Sequence, residues 1–377
     1  MSLTLLEGNE AVAWGAYHAG CRFFAGYPIT PATTILNTML KILPSNGGIC
    51  IQGEDEIASI GFCLGASMAG MKVMTATSGP GISLYSENIS FAIGSEIPIV
   101  IVDVQRLGPS TGSATKGADG DIAFLRWGNS GGLPVIVLAP ANVKDCYLLT
   151  AQAFNLAEQF RCPVFVASNK EIGMARESLD FENLNLPATI HRSKPAEGFP
   201  YLPFAPDPSG VPVFTAIGEK IVSRQTSSTH GPDGYITVDP ELIAANQERL
   251  HNKIVRSLDN FTYFEMLAEP GAQILLIAYG ITARAALAAA ARCTQTGTPV
   301  SVLTLKTLWP VPEDLIKQTA AAYKLVVVVE MNLGQYIHDI RRVLCHRPVE
   351  FCGQMDGNLI TPAQIEEFIA NVQSHQS

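Results

Sequence analysis

The chain has few basic residues and no basic cluster. Its 377 residues contain 25 Lys and Arg against 34 Asp and Glu, which gives a formal net charge of −9. The longest basic run is the pair Arg341-Arg342. Binding to a phosphate backbone needs positive charge concentrated on one face, so the composition argues against nucleic acid as a partner. Charged residues make up only 16% of the chain, which predicts that much of its surface is covered.

Long hydrophobic runs are also missing. No uninterrupted apolar segment approaches the roughly 18 to 20 residues that span a bilayer. The first residues of the chain include Glu7 and Glu10, where a basic leader segment would carry Lys or Arg. We therefore expect a cytoplasmic protein without a membrane span.

Cofactor-binding signatures of several common kinds are absent. The eight cysteines include no Cys-x-x-Cys, and most of them lie in apolar segments such as Phe62-Cys63-Leu64. We predict reduced core cysteines and no zinc or iron–sulfur cluster held by this chain. Neither a Walker loop nor a Gly-x-Gly-x-x-Gly sequence is present, so the sequence does not support a nucleotide site of either type.

What the chain does contain is an alternation of β-branched runs with helices of small residues. This alternation predicts an α/β fold with a mostly parallel, doubly wound sheet. The predicted helices 8–20 and 57–70 have little charge, so we expect them to pack closely on the sheet. The strand candidates are 23–25, 49–52, 73–77, 97–104, 134–138 and 163–167.

The rhythm changes twice along the chain. Prolines and polar turns dominate 178–267, which predicts an irregular connector. Strand candidates at 274–279, 300–304 and 324–330, with an Ala-rich helix at 283–292, then restart the α/β pattern. We predict a first domain over 1–177 and a second, smaller α/β domain over 268–377.

Two short motifs follow predicted strands, at the sheet edge where open α/β proteins bind ligands. The first is Tyr-Pro-Ile-Thr-Pro at 27–31, and the second is Thr-Ser-Gly-Pro-Gly at 77–81, whose glycines permit a close backbone approach. Each also has a purely structural interpretation. Thr30 could cap a helix that begins at Pro31, and Ser78 could cap the helix after its turn.

A third segment, Gln-Arg-Leu-Gly-Pro-Ser-Thr-Gly at 105–112, follows the most apolar strand. It leads into a glycine-rich loop with Lys116 and Asp121. An arginine at the ligand edge suits a bidentate grip on a carboxylate. The alternative is an arginine tied to a nearby aspartate or to a backbone carbonyl.

A fourth segment places Glu54, Asp55 and Glu56 directly before the apolar helix 57–70. A carboxyl group beside an apolar wall can exchange a proton with a ligand, and Glu56 is the acid next to Ile57. The alternative is that all three are solvated acids attracted to the positive end of the helix.

Taken in order, these four segments resemble the α subunit of the 2-oxoacid:ferredoxin oxidoreductases, which are thiamine diphosphate enzymes that convert 2-oxoacids to acyl-CoA. The second half of the chain is similar to that family in AYGITARAA, LKTLWPVPED and VVVVEMNLGQ. The resemblance covers nearly the whole chain. It implies that 1–177 is a pyrimidine-binding domain and that 268–377 is of the transketolase C-terminal type.

The resemblance also implies roles for individual residues. Glu56 would hydrogen-bond N1′ of the thiamine pyrimidine and so activate the ring that removes the thiazolium proton. Thr30 and Arg106 would hold the substrate carboxylate. The other implied residues are Tyr27, Pro28, Ser78 and Gly79 for the cofactor, and Ser110, Thr111 and Lys116 for the substrate.

The Mg²⁺-diphosphate signature of thiamine enzymes, Gly-Asp-Gly followed some 25 to 30 residues later by Asn, does not occur in this sequence. The segment Asp119-Gly120-Asp121 only looks similar to it. The resemblance therefore implies a β subunit that supplies Mg²⁺, the diphosphate contacts and a [4Fe–4S] cluster. The implied assembly has two αβ units or more, uses CoA as cosubstrate and passes electrons to ferredoxin.

The loop 108–116 differs from the GPSTGxPTK-like loop common in 2-oxoglutarate enzymes, because Ala114 replaces the second proline. The resemblance still favours 2-oxoglutarate, and pyruvate, branched-chain and aryl 2-oxoacids stay open. Two other hypotheses are a non-catalytic assembly subunit of such a complex and a thiamine enzyme without electron transfer.

Overall fold

The computed structural model describes residues 3–196 and 200–376. The strands in these residues are β1 (Leu3–Glu7), β2 (Phe23–Gly26), β3 (Ile49–Gln52), β4 (Val73–Thr77), β5 (Ile99–Gln105), β6 (Ile136–Leu138), β7 (Pro163–Asn169), β8 (Arg176–Asp180), β9 (Phe264–Leu267), β10 (Ile274–Ala278), β11 (Val300–Leu305), β12 (Thr307–Trp309), β13 (Leu325–Glu330) and β14 (Val349–Gly353). The α-helices are α1 (Gly8–His18), α2 (Thr33–Ser45), α3 (Glu56–Met68), α4 (Pro80–Leu84), α5 (Ser86–Gly94), α6 (Ile122–Trp127), α7 (Val143–Phe160), α8 (Lys170–Met174), α9 (Pro240–Val255), α10 (Thr282–Gln295), α11 (Glu313–Ala320), α12 (Ile337–Val343) and α13 (Pro362–Gln376).

A seven-stranded sheet in the order β12-β6-β7-β5-β4-β2-β3 is the larger of the two main sheets. All its neighbouring pairs are parallel except β12–β6. Every residue of β4, β5 and β7 is buried. Successive residues of β5 enter different hydrophobic cores, with Ile101 in one and Val102 in the other, so helices cover both faces. The predicted doubly wound α/β sheet is confirmed.

A second sheet has five strands in the order β14-β13-β10-β11-β9, and only β9 is antiparallel to its neighbour. The strands predicted near 274, 300 and 324 are present in it. The edge strands β9 and β14 were not predicted, because both are short and only partly buried. Strand β12 was not predicted either. Its residues come from the C-terminal part of the chain, but it pairs with β6 of the larger sheet.

The segment 178–267, predicted as an irregular connector, contains the 16-residue helix α9. Asp239 caps this helix by accepting a hydrogen bond from the amide of Glu241, and Pro240 occupies its first turn. These are ordinary helix-start signals. The many prolines elsewhere in this segment favoured the interpretation that all of it is irregular. The division of the chain at 177 and 267 stays a prediction.

Helix α9 is held to the larger sheet by an anchoring cluster of three charged side chains, Glu96, Arg249 and Lys253. Glu96 is fully buried and accepts from Arg249 at 2.6 Å and from Lys253 at 2.7 Å. Burial alone would raise the pKa of Glu96, but the two cations lower it to about 2. Each carboxylate oxygen of this cluster therefore has a charged donor.

Of the eight cysteines, six are buried, Cys50 is half-buried and Cys345 is exposed. Burial raises the pKa of the Cys21 thiol to about 12, which keeps it protonated and unreactive. In the part of the chain that the structure describes, no helix combines the length and apolar character needed to cross a membrane.

Candidate active site

The four motif segments meet at one edge of the seven-stranded sheet. Strands β2, β3, β4 and β5 run parallel, so the residues that follow them leave the sheet on the same side. This edge carries Tyr27–Pro31 after β2, Glu54 to Glu56 after β3, Ser78 and Gly79 after β4, and Arg106 after β5. We call it the active-site edge.

Glu56 is the first residue of α3, and its environment differs from that of the two acids before it. Glu54 and Asp55 are exposed, whereas Glu56 is only 7% exposed. The Asp55 carboxylate caps the helix by accepting from the amide of Ala58 at 2.7 Å. The structural interpretation of the acidic triplet is therefore right for Asp55, and Glu56 is separated from it by burial.

The Glu56 carboxylate lies beside the turn that follows β4. A Cβ atom at Gly81 would lie 2.6 Å from Oε1 of Glu56 and 2.0 Å from Oγ1 of Thr77, so only glycine fits at this position. The Glu56 carboxyl group forms no hydrogen bond or ion pair with any residue in the described ranges. Its carboxyl group is thus left available for a ligand.

Two hydroxyl groups in the same turn are buried without a hydrogen-bond partner. They belong to Thr77 and Ser78, both of which are fully buried. Gly79 precedes α4 with φ +29°, and no side chain caps that helix, so the predicted capping alternative for Ser78 is wrong. Unpaired buried hydroxyls are costly. The Thr77 hydroxyl also acts on the pKa of the neighbouring Tyr85, so the Ser78 hydroxyl is the clearer candidate for a partner from outside this chain.

The turn after β2 is exposed at Tyr27, Pro28 and Thr30. Helix α2 begins at Thr33 with Ala32 before it, so the alternative in which Thr30 caps that helix is wrong. The turn is fixed from α1 instead, where the amide nitrogen of Asn9 donates to the carbonyl of Pro31 at 2.9 Å. The sequence analysis did not single out Asn9. Its signal was a polar side chain within a predicted helix that has little charge and packs on the sheet.

Arg106 joins two of the loops through backbone carbonyls. Its guanidinium donates to the carbonyl of Thr30 at 2.6 Å and to that of Thr111 at 2.9 Å. Arg106 is 5% exposed, and no carboxylate of the described chain forms an ion pair with it. Burial lowers the pKa of Arg106, while the nearby charge of Asp121 raises it. The alternative of an arginine bound to carbonyls is right for two of its nitrogens, and its Nε has no partner.

The loop after Arg106 is closed by backbone hydrogen bonds. The amide of Leu107 donates to the carbonyl of Lys116 at 2.8 Å, and the amide of Ser113 donates to the carbonyl of Leu107 at 2.8 Å. Ser110, Thr111 and Lys116 are exposed on this loop. A Cβ atom at Gly357 would lie 2.9 Å from Cβ of Lys116, so this lysine begins beside the C-terminal part of the chain.

Sequence reasoning gave no role to three acids beneath the active-site edge: Asp103 and Asp119, which are buried, and Asp121, which is half-buried. Burial and the neighbouring Asp121 raise the pKa of Asp103 well above its usual range. Burial likewise raises the pKa of Asp121 to about 6 and that of Asp119 to about 7. For Asp103, the sequence signal was an aspartate inside the almost wholly apolar strand β5.

The second-half motifs hold the loop that contains Asp119 and Asp121. Glu330 at the end of β13 accepts from the hydroxyl of Tyr279 at 2.7 Å and from the amides of Tyr336 and Ile337 at 2.9 Å. Asn332 then donates to the backbone carbonyl of Asp119 at 2.9 Å. The residues that follow β13 therefore fix the position of the glycine-rich loop that contains Asp119.

The residues present fit the pyrimidine half of thiamine diphosphate. A free carboxyl group, the buried hydroxyls of Thr77 and Ser78, and the close approach at Gly81 lie at one edge, as such a ring would require. Comparison with known families agrees with this chemistry. Residues 14–248 match the family described as pyruvate flavodoxin/ferredoxin oxidoreductase, thiamine diphosphate-binding, and residues 272–365 match pyruvate:ferredoxin oxidoreductase core domain II.

The chain belongs to the thiamine diphosphate-dependent 2-oxoacid:ferredoxin oxidoreductase family. It is 41% identical to the 2-oxoglutarate synthase subunit KorA of Methanocaldococcus jannaschii over 98% of this chain and 100% of the relative. It is 35% identical to the ketoisovalerate oxidoreductase subunit VorB of Methanothermobacter thermautotrophicus over 100% of both chains. The family resemblance inferred from the motifs is confirmed.

Two solved structures resemble this member of the family. The 2-oxoglutarate:ferredoxin oxidoreductase from Magnetococcus marinus, solved with 2-oxoglutarate, coenzyme A and succinyl-CoA bound, gives a TM-score of 0.92 at 34% identity. That match covers 98% of this chain and 65% of the other, so this chain spans about two thirds of it. An inactive split-gene transketolase tetramer gives a TM-score of 0.57 at 14% identity over 97% and 96% of the two chains, which supports the fold alone.

Proposed function

We propose that this chain is the α subunit of a heteromeric oxidoreductase that converts 2-oxoglutarate and CoA to succinyl-CoA and CO₂. The observation that carries the proposal is the free, buried carboxyl group of Glu56, which lies on the same edge as the unpaired hydroxyls and Arg106. A non-catalytic assembly subunit would have no need for buried groups left without partners. The names of the relatives at 38 to 41% identity support the choice of 2-oxoglutarate.

Glu56 would hold the pyrimidine by its N1′ atom, with Ser78, Gly79, Tyr27 and Pro28 forming the surrounding surface. When bound, thiamine diphosphate supplies the nucleophilic carbon that attacks the 2-oxo group. The contribution of Glu56 is to exchange one proton with the pyrimidine nitrogen, which requires water to be kept away from its carboxyl group. Its burial at the start of α3 supports this role.

Arg106 and Thr30 would hold the carboxylate next to the 2-oxo group. The guanidinium of Arg106 has no ion pair within the described chain, so an incoming anion would be its charged partner. Decarboxylation removes that anion, and Arg106 therefore serves binding and orientation. The exposed residues Ser110, Thr111 and Lys116 are proposed to contact the second carboxylate of 2-oxoglutarate.

The remaining parts of the enzyme are proposed to come from partner chains. A β subunit would supply the Mg²⁺ and diphosphate contacts and a [4Fe–4S] cluster, with ferredoxin as acceptor, in a cytoplasmic assembly of at least two αβ units. No group of three or more metal-binding side chains occurs in the described residues.

The central experiment replaces Glu56 by Gln in the complex purified with its natural partner. We expect acyl-CoA formation to fall by at least about a hundredfold, because the proton exchange is lost. The matched control is Glu54→Gln, since Glu54 is an exposed acid two residues away. Full activity of the Glu56→Gln complex would refute the proposal.

Substrate preference is tested on the unmodified complex with CoA and a low-potential acceptor. We expect kcat/KM for 2-oxoglutarate to exceed that for 2-oxoisovalerate, pyruvate and an aryl 2-oxoacid by at least about tenfold, as a second carboxylate contact would give. A preference for 2-oxoisovalerate would instead support the function of the ketoisovalerate relatives.

A further inference from the structure

Two carboxyl groups, those of the buried Asp103 and the half-buried Asp121, lie against each other beneath the active-site edge. Asp103 is fully buried in β5, next to Thr77 of β4 in register. Within the described residues, neither oxygen of Asp103, nor Oδ2 of Asp121, accepts a hydrogen bond from an N–H or hydroxyl donor. The Gly79 amide approaches Asp103 without hydrogen-bond geometry. The two carboxyl groups contact each other instead, and such a contact is stable only if one of them holds a proton.

The pair touches both parts of the proposed site. A Cβ atom at Gly79 would lie 3.7 Å from Cγ of Arg106 and 3.9 Å from Oδ2 of Asp121, so turn, arginine and acid are packed together. The backbone amide of Asp121 donates to Oε1 of Gln105 at 3.0 Å, which fixes the acid relative to the end of β5. The charge of Asp121 raises the pKa of Arg106, and Arg106 lowers that of Asp121, although the two side chains form no ion pair in the described chain.

We propose that Asp103 and Asp121 share one proton and act as a positioning pair for Arg106 and the turn at Ser78 and Gly79. The proposal rests on the proposed function, because it takes Arg106 as the residue that binds the substrate carboxylate. With one proton the pair has a single negative charge, which steadies Arg106 and leaves its guanidinium available. Loss of that proton adds a second negative charge and opposes binding of the 2-oxoacid anion.

Other ionisable groups face the pair from neighbouring elements, and the test must separate them from it. They are Arg106 after β5, which acts on Asp121, and Asp119 in the loop before α6, which interacts with both acids. Glu330 at the end of β13 acts on Asp119 in turn. Burial raises the pKa of Asp119 to about 7, so this acid also titrates near neutral pH. Substitution of Asp103 and Asp121 individually isolates the contribution of the pair.

The first test measures KM for the 2-oxoacid against pH in the assembled complex. We expect the KM of the unmodified enzyme to rise about tenfold when the shared proton is lost at alkaline pH. Asp103→Asn stays neutral and keeps an N–H donor for Asp121, so its KM should lose this alkaline rise. Asp121→Asn should raise KM about tenfold with kcat within about threefold.

The control for both variants is Asp314→Asn, because Asp314 is an exposed aspartate on α11. An Asp103→Asn enzyme that keeps the alkaline rise would overturn the proposal. An unchanged KM in Asp121→Asn would overturn it as well.

The second test needs no activity, because it follows thermal unfolding of the chain between pH 5 and 8. Asp103 binds its proton more tightly when folded than when unfolded, so its contribution to stability falls as pH rises. Asp103→Asn lacks this effect. The difference in Tm, variant minus unmodified chain, should therefore increase by about 2 °C per pH unit.

The two tests together distinguish the possible failures. A constant Tm difference would show that no proton is shared and would overturn the proposal. An increasing difference with an unchanged KM profile would overturn the positioning role alone. If Arg106→Gln leaves KM unchanged, the proposed role of Arg106 fails, and the positioning role fails with it.

Discussion

The anchoring cluster and the active-site edge are both buried and polar, but they treat their charges differently. In the anchoring cluster, each oxygen of Glu96 accepts from a cation of α9 at 2.7 Å or less. At the active-site edge, the Glu56 carboxyl group and the Ser78 hydroxyl have no hydrogen-bond partner among the described residues. Complete pairing stabilises a fold, whereas incomplete pairing is retained where a ligand or a second subunit supplies the missing contacts.

The largest expected effect tests the anchoring cluster through Lys253→Met. This change leaves Glu96 buried with one cation fewer, and we expect the free energy of unfolding to fall by about 3 kcal/mol. The kcat of the folded enzyme should be unaffected, because the cluster lies away from the active-site edge. Denaturant unfolding followed by circular dichroism measures the loss.

The control for Lys253→Met is Lys317→Met, since the pair of Lys317 with Glu313 is solvent-exposed. It should change stability by less than about 0.5 kcal/mol. If both lysine variants lose the same small amount of unfolding free energy, the buried ion pair of Lys253 contributes no more than the exposed pair of Lys317, and the contrast is wrong.

The next effect tests the active-site edge through Gly81→Ala. The added Cβ would lie 2.6 Å from Oε1 of Glu56, so the carboxyl group must move. We expect kcat to fall about a hundredfold, because small displacements of a reacting group cost that much. Steady-state kinetics of the complex provide the measurement, and a far-ultraviolet spectrum checks the fold.

Gly61→Ala is the matched control for Gly81→Ala, because the corresponding Cβ on α3 meets no atom within 4 Å. This variant should fold and be at least as stable as the unmodified chain, since alanine favours a helix. Unchanged kcat in Gly81→Ala would show that the position of Glu56 is not as constrained as the packing indicates.

The smallest expected effect is the acid dependence of stability. The pKa of Glu96 is lowered to about 2 in the folded chain, so its contribution is present above the unfolded glutamate pKa. That contribution is lost as pH falls through the usual glutamate range toward 2. Unfolding curves between pH 3 and 6 should therefore have a steeper acid slope for the unmodified chain than for Glu96→Gln. Parallel slopes would contradict the assignment.

The parallel strands could be predicted because burial on both faces requires continuous β-branched runs, as in β4, β5 and β7. Glu56 could be singled out as a candidate because Glu-Asp-Glu directly before an apolar helix has few interpretations, and the ordered motifs favoured one of them. Helix α9 was missed because its apolar pattern is weak. The helix is held instead by ion pairs with Glu96, which is distant in the sequence. Strand β12 was missed because it joins a sheet built from residues far away in the sequence.

The sequence by itself determined the family, the alternation of strands and helices, and the candidate residues, because these depend on local periodicity and on short ordered motifs. Only the tertiary structure decided which candidates differ from their neighbours. It separated buried Glu56 from the capping Asp55, and it joined Arg106 to Thr30 and Thr111 through carbonyls. It also brought Asp103 against Asp121 across 18 positions of sequence. The physical reason is that burial and contact across strands set the charge of these groups, and neither is written in local sequence.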